Sequence, residues 1–562
     1  MSFLFGCYAN FAQPAFPGAE GFGAQASGGR GGKVIYVTNL NMSGPGSFQD
    51  ALNQPGPRYI LFKVSGVIPG TVEVPDGNGD FTIAGQTSPS GIIVRGLEMY
   101  NNTNPSVSNI IIRHVRSRIG DTQKFSTPHW LGGDGITIGG VRNGIIDHCS
   151  FQHASDEAVD ISRSSLLTIQ NCILGETLGG HADLGGMLIN YSDQASRLDS
   201  LSIHHNIWNR IGGRMPEISC ETPYCNGKTI HLELSNNLYW DPQIELWYEG
   251  ITGQNGQFYL QMNAINNLYY GAQHFSNGMY HFDMLLVPQN KLFFSGNQIN
   301  LYPQYKDYDL FYCCNDFNSN HPNTALGSAT KSNQRFDYPS ISYTPTDQLQ
   351  SHIQKNVGAF PRDPMDQRLM NYVANHQIIL TPVSEAGADD AFQITPTNSF
   401  PEDIDDDGMP DYWELIHGLH TNQQDHNLQQ LSSSITGVEG YTNLECYLHC
   451  LSEAIINGFT TSECAIQGFS TKNLEPLLVH DIQFYPNPTT GELIIHTEGN
   501  QLHSTLEVDL INIHGKVVKQ QSLMEVRSKI LLHDLPDGLY IFLVRDKISG
   551  RMIHYNRIVL VR

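Results

Sequence analysis

A chain of 562 residues with 15% charged side chains and 53 glycines is too long for one ordinary core. Two to four domains are expected unless a solenoid grows by repetition, and the composition suits a β-rich extracellular protein better than a helical cytosolic one. Thirty-two Lys and Arg against 55 Asp and Glu leave a net charge of −23, which disfavours nucleic acid and anionic lipid as partners; no stretch has the roughly 18 apolar residues of a membrane span.

From the N-terminus, MSFLFGCYANFAQ (1–13) reads as the rear of a secretory signal, with a cut near Gln13 and a true start upstream. Glycines then deny the chain regular structure until an alternating strand at Val34 to Thr38. Ser47 with Asp50 opens a short helix through Leu52, placed to cover the open end of a sheet stack. Beyond it one phrase keeps returning, an apolar alternating run followed by His or Asn and a small or apolar residue: IIIRHV, IIDHCS, TIQNCI, SIHHNI, ELSNNL, AINNLY and VPQNKL. It places His114, His148, Asn171, Asn206, Asn237, Asn267 and Asn290 in register, at intervals between 23 and 35 residues. Such strand-sized runs predict an all-β chain whose main body is a right-handed parallel β-helix, with coils from about 60 to about 340 and long loops that can build a groove on one side. Cys149 and Cys172 hold the same place in successive coils and are expected as stacked wall residues. Cys220 and Cys225 are near enough for a local disulfide in an oxidising compartment.

Residues 341–402 lose the repeat and end in the polar run TPTNSFPED, a linker. DIDDDGMPDYWE follows. It sets Asp403, Asp405, Asp407, Gly408, Asp411 and Glu414 at positions 1, 3, 5, 6, 9 and 12 of an EF-hand-like calcium loop, with the Met409 carbonyl at position 7. Short helices are expected after it. From about 478, alternating strands joined by Gly and Asn turns predict a small β-sandwich. The expected divisions are 1–13 signal remnant, 14–380 β-helix, 381–402 linker, 403–470 calcium-loop module and 471–562 C-terminal sandwich.

Chemistry is expected between Asp134 and Asp160. Asp156 and Asp160 sit four residues apart at a turn between coils, and Asp134 lies near Asp147 one strand earlier. Neighbouring coils run about 5 Å apart, so carboxylates at corresponding loops can converge. Three of them together would repel unless a hard cation lay between, and calcium is the natural occupant; the alternative is that they only cap turns. Arg214, eight residues after Asn206 and followed by Met and Pro, should project from a strand end. Facing such a cluster across a cleft it would invite an anionic ligand; the alternative is an ordinary surface Arg. His129 and Trp130, just before the site, either flank a sugar or pack.

The glycine-rich opening and FTIAGQTSPSGIIVRG at 81–96 resemble the N-terminal region of pectate lyases of polysaccharide lyase family one. DGITIGGVRNGIIDHCSFQHASDEAVDIS is similar to that family's calcium motif: Asp134 stands thirteen residues before Asp147, and Asp156 and Asp160 fill the places of its acidic pair. Arg214, with Pro216, takes the place of its catalytic arginine. The resemblance covers roughly residues 14 to 300. It implies calcium at Asp134, Asp156 and Asp160 and a β-elimination in which Arg214 removes the proton beside the uronate carboxylate, with an alkaline optimum. Three positions depart from the family: Gly132 replaces an aspartate, GGHADLGG lacks the usual basic substrate contact and leaves His181 as its substitute, and Glu217 and Ser219 stand where a second Arg is expected. The loop at 403–414 resembles calcium modules that follow the catalytic domains of secreted bacterial carbohydrate enzymes. FYPNPTTGELIIH, VDLINIHGKVVKQQ and LPDGLYIFLVRDKISGRMIHYNRIVLV resemble the sorting domain of the Bacteroidetes type nine secretion system.

The expectation is thus a secreted or cell-surface, monomeric, calcium-dependent lyase of pectic polyuronate that also engages the export machinery. Two readings stand against it: a β-helix glycoside hydrolase using Asp156 and Asp160 as its carboxylate pair without metal, and a non-catalytic carbohydrate-binding surface protein.

Overall fold

Short β-branched runs bounded by turns cannot bury both faces in an isolated hairpin, and here they do so by stacking coil on coil. The computed structural model describes residues 13–100, 107–120, 133–177, 185–192, 197–211, 213–220, 223–241, 247–248, 258–272, 289–310, 328–380, 390–397, 400–458, 482–497, 506–512, 517–523, 527–546 and 552–562. The chain divides into two units, Met1–Thr397 and Asn398–Arg562.

In the first unit three parallel sheets form the walls of a right-handed β-helix. The ten-stranded sheet runs from Lys33–Val37 to Lys291–Ser295, the nine-stranded from Gly66–Val67 to Gln298–Ile299, and the seven-stranded from Val72–Glu73 to Trp247–Tyr248. Coils therefore begin before residue 58, because Lys33–Val37 pairs with Arg58–Phe62. Like residues stack: Ile112, Ile146, Ile169, Ile203 and Leu234 form one inner column of the ten-stranded sheet, all buried. The helix Phe48–Asn53 starts with Ser47 Oγ accepting from the Asp50 N–H at 3.1 Å, and its Phe48, Ala51 and Leu52 enter the same core.

The repeating phrase needs correction by one residue. His114, His148 and Asn171 align with His205, Asn236 and Asn266, which all turn the corner in the left-handed region (φ between 52° and 56° for five of them, 50° for His148). The next position carries the interior column: Cys149, Cys172, Asn206, Asn237, Asn267 and Asn297. Each of those asparagines accepts the backbone N–H of the position one coil below through Oδ1, at 2.9 to 3.2 Å, while its Nδ2 donates to a carbonyl such as Ile169 O or Ile203 O. The ladder ends at Asn297; Asn290 belongs to another row, where it caps the Leu260 N–H at 3.0 Å. Two adjacent columns, each tolerating Asn, blurred into one in the sequence. Cys149 and Cys172 are free, buried and stacked, and Cys220 is bonded to Cys225.

Glycines of the N-terminal segment let it lie flat on the ten-stranded sheet. A Cβ on Gly23 would meet Gly144 O at 1.9 Å, and the Gly23 N–H instead donates to Thr168 Oγ1 at 2.9 Å. Residues 341–380, where the repeat is lost, hold two helices, Thr346–Asn356 and Pro364–Ala374. Their Leu349, Ile353, Met365, Leu369 and Val373 cover Ile173, Ile207, Leu238 and Trp240 on the outside of the nine-stranded sheet. Buried beneath them, Arg118 pairs with Asp363 at 2.5 Å and Asp366 at 3.1 Å, and Arg116 with Asp366 at 3.1 Å.

The second unit holds helices Asp411–His417, Ser432–Thr436 and Asn443–Ile456, the last opened by a Thr442/Glu445 capping box. Antiparallel sheets of three and four strands follow, with a shared apolar core.

Candidate functional site

Four consecutive levels of the seven-stranded sheet build the site just before their strands begin, three with charged groups and one with a glycine pair. Asp134 precedes Ile136–Gly139, Asp156 and Glu157 precede Val159–Ser162, Gly185 and Gly186 precede Met187–Tyr191, and Arg214 precedes Glu217–Cys220. Backbone bonds fix the stack: the Gly135 N–H donates to Glu157 O at 2.9 Å, Ala158 to Gly185 O at 2.8 Å, and Met187 to Arg214 O at 2.7 Å.

Carboxylate oxygens of Asp134, Asp156 and Glu157 all lie within 4.8 Å of one another. The Glu157 N–H donates to Asp134 Oδ1 at 3.3 Å and Thr137 Oγ1 to Asp134 Oδ2 at 2.7 Å. Burial first, then the neighbouring Asp156 charge, pushes Asp134 up to about 6. Burial, with a hydrogen bond and charge from Asp156, pushes Glu157 up to about 9 against the pull of Arg214. A set of hard oxygen donors that resist ionising together is the donor chemistry a divalent cation suits. Asp160 stands outside this set. Strand alternation puts Val159 and Ile161 in the core and Asp160 on the outer row, level with Glu98 and Thr137 on one side and Leu188 and Glu217 on the other. Asp147 is also elsewhere, buried and held by Arg113 Nε at 2.8 Å and His148 Nδ1 at 2.7 Å; the proximity to Asp134 read from the sequence does not hold, because Asp147 points out of a different sheet.

Arg214 does not face the carboxylates across a gap. Its Nη1 pairs directly with Glu157, and its Nε lies 2.7 Å from Glu217, with 20% of the side chain exposed. Burial lowers its proton affinity, but the charges of Glu157 and Glu217 outweigh this and raise it. Arg214 and Glu157 stand two coils apart, about 10 Å, so their two extended side chains meet over the intervening level, where a glycine pair lets the neighbouring backbone pack closely. A Cβ on Gly186 would meet Arg214 O at 2.1 Å, and one on Gly185 would meet Ile211 O at 2.4 Å. Arg214 itself adopts φ 52°.

His181, Gly132, His129 and Trp130 lie outside the described residues, as does the signal segment up to residue 12. Glu157 was missed in the sequence because it adjoins Asp156, and two neighbours in a strand would face opposite ways; here both precede the strand, in a turn. A cavity of about 640 Å³ lies against the ten-stranded sheet, lined by Glu20, Gln170, His204, His205, His352 and Lys355 among others. None of the acidic cluster or Arg214 lines it.

In the second unit, oxygens of Asp403, Asp405 and Asp407 lie within 4.8 Å of one another, as do those of Asp407, Glu414 and Asp425. The Met409 N–H donates to Asp407 Oδ1 at 3.0 Å. Asp411 Oδ1 instead accepts the Ile404 N–H at 2.9 Å, closing the loop on itself. Burial with neighbouring carboxylates pushes Asp405 up to about 6, Asp407 to about 7 and Glu414 to about 10.

Residues 483–554 match the family described as secretion system C-terminal sorting domain. The chain is 30% identical over 451 residues to the probable pectate lyase C of Aspergillus oryzae, an alignment covering 78% of this chain and 94% of that protein. It is 34% identical over 176 residues to pectate lyase 1 of Ambrosia artemisiifolia, covering 29% and 44%. Among solved structures, jun a 1, the major allergen from cedar pollen, matches at 17% identity with a TM-score of 0.40, covering 61% of this chain and 92% of that one.

Proposed function

The chain belongs to the pectate lyase family, whose members are polysaccharide lyases, and from that premise we propose that it cleaves pectic polyuronate by calcium-dependent β-elimination at Asp134, Asp156, Glu157 and Arg214. The C-terminal sorting domain makes it a secreted or cell-surface protein, and we take it to leave the cell through type nine machinery and to act as a monomer.

The observation that carries the reading is the convergence of three carboxylates from two coils with one guanidinium from a third. Asp134, Asp156 and Glu157 would hold the cation, with Asp160 on the adjoining row. When bound, calcium supplies Lewis-acid polarisation of the uronate carboxylate, acidifying the neighbouring C–H. Arg214 removes that proton; the C–H electron pair becomes the new C=C bond as the glycosidic C–O bond breaks, and the departing oxygen gains a proton from solvent. Glu157 belongs to both the cation set and the ion pair, so its charge, when committed to one, weakens its hold on the other. Glu217 keeps Arg214 oriented, and the charges of Glu157 and then Glu217 keep it protonated, so turnover requires high pH, where a weak carbon acid and a strong base are matched.

In the second unit we assign the loop of Asp403, Asp405, Asp407, Met409, Asp411 and Glu414 to a separate calcium that stiffens the segment and takes no part in the chemistry.

The test is release of UV-absorbing unsaturated ends from polygalacturonate, methylated pectin and rhamnogalacturonan with calcium and with chelator. Calcium-dependent unsaturation from the first of these is expected. Chelator-insensitive hydrolysis would support the carboxylate-pair hydrolase, and polymer binding without cleavage the non-catalytic reading.

A further inference from the structure

The acidic loop of the second unit is not self-contained. Asp403 accepts the N–H groups of Asp407 and Gly408 at 3.3 and 3.2 Å, as a twelve-residue loop would arrange. Asp407 Oδ2, however, accepts the N–H groups of Asp425 and His426 at 3.0 Å each, tying the loop to a segment beyond the following helix. That segment returns a carboxylate. Asp425 is 2% exposed; its Oδ2 accepts the His420 N–H at 3.3 Å, and its Oδ1 is buried without a hydrogen-bond partner. Glu414, fully buried, has neither oxygen partnered, and Asp405, half-buried, has both of its oxygens enclosed without a hydrogen-bond donor. Buried carboxylates without donors cost several kcal/mol each unless a cation or proton supplies what is missing.

We propose that Asp425 is a ligand of the cation bound by the 403–414 loop, supplied from outside the loop, so that a single hard divalent ion joins the loop, the helix Asp411–His417 and the 425–426 turn. This rests on reading that loop as a calcium site. Oxygen-only donors in this number suit calcium over magnesium, which keeps more of its waters. The ion then reaches further into the fold: Asn443 Nδ2 donates to Asp425 O at 3.0 Å, and the Leu444 N–H to His426 O at 3.1 Å. The start of the helix Asn443–Ile456 is thereby docked on the turn the ion fixes.

Calcium titration calorimetry on the full chain, with the β-helix site silenced by Asp134→Asn and Asp156→Asn, tests this. Melting is followed in parallel in calcium and in chelator. Asp425→Asn keeps the acceptor for the His420 N–H, and circular dichroism at saturating calcium checks that it folds; Asp425→Ala is the second variant. Expected is a loss of calcium affinity of at least about 10-fold for Asp425→Asn, Asp425→Ala and Glu414→Gln alike, with a smaller calcium-induced rise in melting temperature. Parental affinity in both Asp425 variants, with Glu414→Gln impaired, overturns the proposal and leaves the loop reading standing. Parental affinity in all three overturns both.

Discussion

Two crowds of carboxylates in this protein share chemistry and differ in access. At Asp134, Asp156 and Glu157 a guanidinium is already seated among the acids, and one-fifth of its side chain reaches solvent. At Asp407, Glu414 and Asp425 all three residues are buried, and the donors around them are backbone amides, with His426 Nδ1 at 3.8 Å. On the proposed function, the open cluster with its guanidinium admits a polymer and acts on it, whereas the closed one can only be filled. The same residue type at the same crowding thus separates into chemistry and structure according to what else reaches it.

That contrast breaks most visibly at Arg214. Arg214→Ala should lower turnover about 10²- to 10⁴-fold while polymer binding persists, and Glu414→Gln should leave turnover at saturating calcium unchanged; equal losses would erase the distinction. Arg214→Lys should fare little better, since a point charge cannot reach Glu157 and Glu217 as a planar fork does. Next in size is the choice between Glu157 and Asp160. Glu157→Gln should raise the calcium needed for half-maximal activity by about 10-fold or more, and Asp160→Asn by less, because losing one carboxylate of the set weakens the site more than losing a neighbour on the outer row. The reverse order would move the ion toward Asp160. A smaller effect sharpens the open side: Asn237→Ala, which removes a rung of the ladder and leaves the Asn206 N–H and Ile203 carbonyl unmet, should cost about 1–3 kcal/mol in denaturant titration without altering turnover.

Acid provides a further check on the β-helix alone. Burial raises Asp147, Glu176 and Asp363, but their partners prevail: His148 and Arg113 for Asp147, Arg368 and His153 for Glu176, and Arg118 and Arg116 for Asp363, so each is held below its usual range. For a depressed carboxylate the stabilisation is complete above the unfolded value, about 4, and is lost as pH falls through the lower folded one. The contribution of these three pairs to the melting temperature of the first unit should therefore be constant above about pH 5 and fall away below about pH 4, on top of any slope that the raised Asp134 and Glu157 impose at higher pH; a flat acid limb would mean these pairs contribute nothing.

Much of this was legible in the sequence, for reasons that particular residues show. The coil repeat was visible because Ile146, Ile169 and Ile203 recur with fixed flanks, yet the corner residues and the ladder residues adjoin, so Asn171 was matched with Asn206 when its true partner is His205. The helix Pro364–Ala374 left a readable signal that went unused: Asp363 as cap, Pro364 in the first turn, and Met365, Leu369 and Val373 on one face. Asp425 was out of reach of any twelve-residue template, since only folding brings it to Asp407. Glu217 stands in the sequence where an arginine is expected; that it grips Arg214 three residues away depends on the turn into the strand Glu217–Cys220, which spacing alone does not show.

The glycine pair at 185 and 186 carries a last consequence. Because the wall is notched there, the backbone that carries Arg214 is seated against atoms that are missing, and its side chain grips an acid two rungs away. A single methyl group at 186 would collide with the Arg214 carbonyl oxygen and tilt the whole arm. Variant libraries aimed at this cluster should leave both glycines in place.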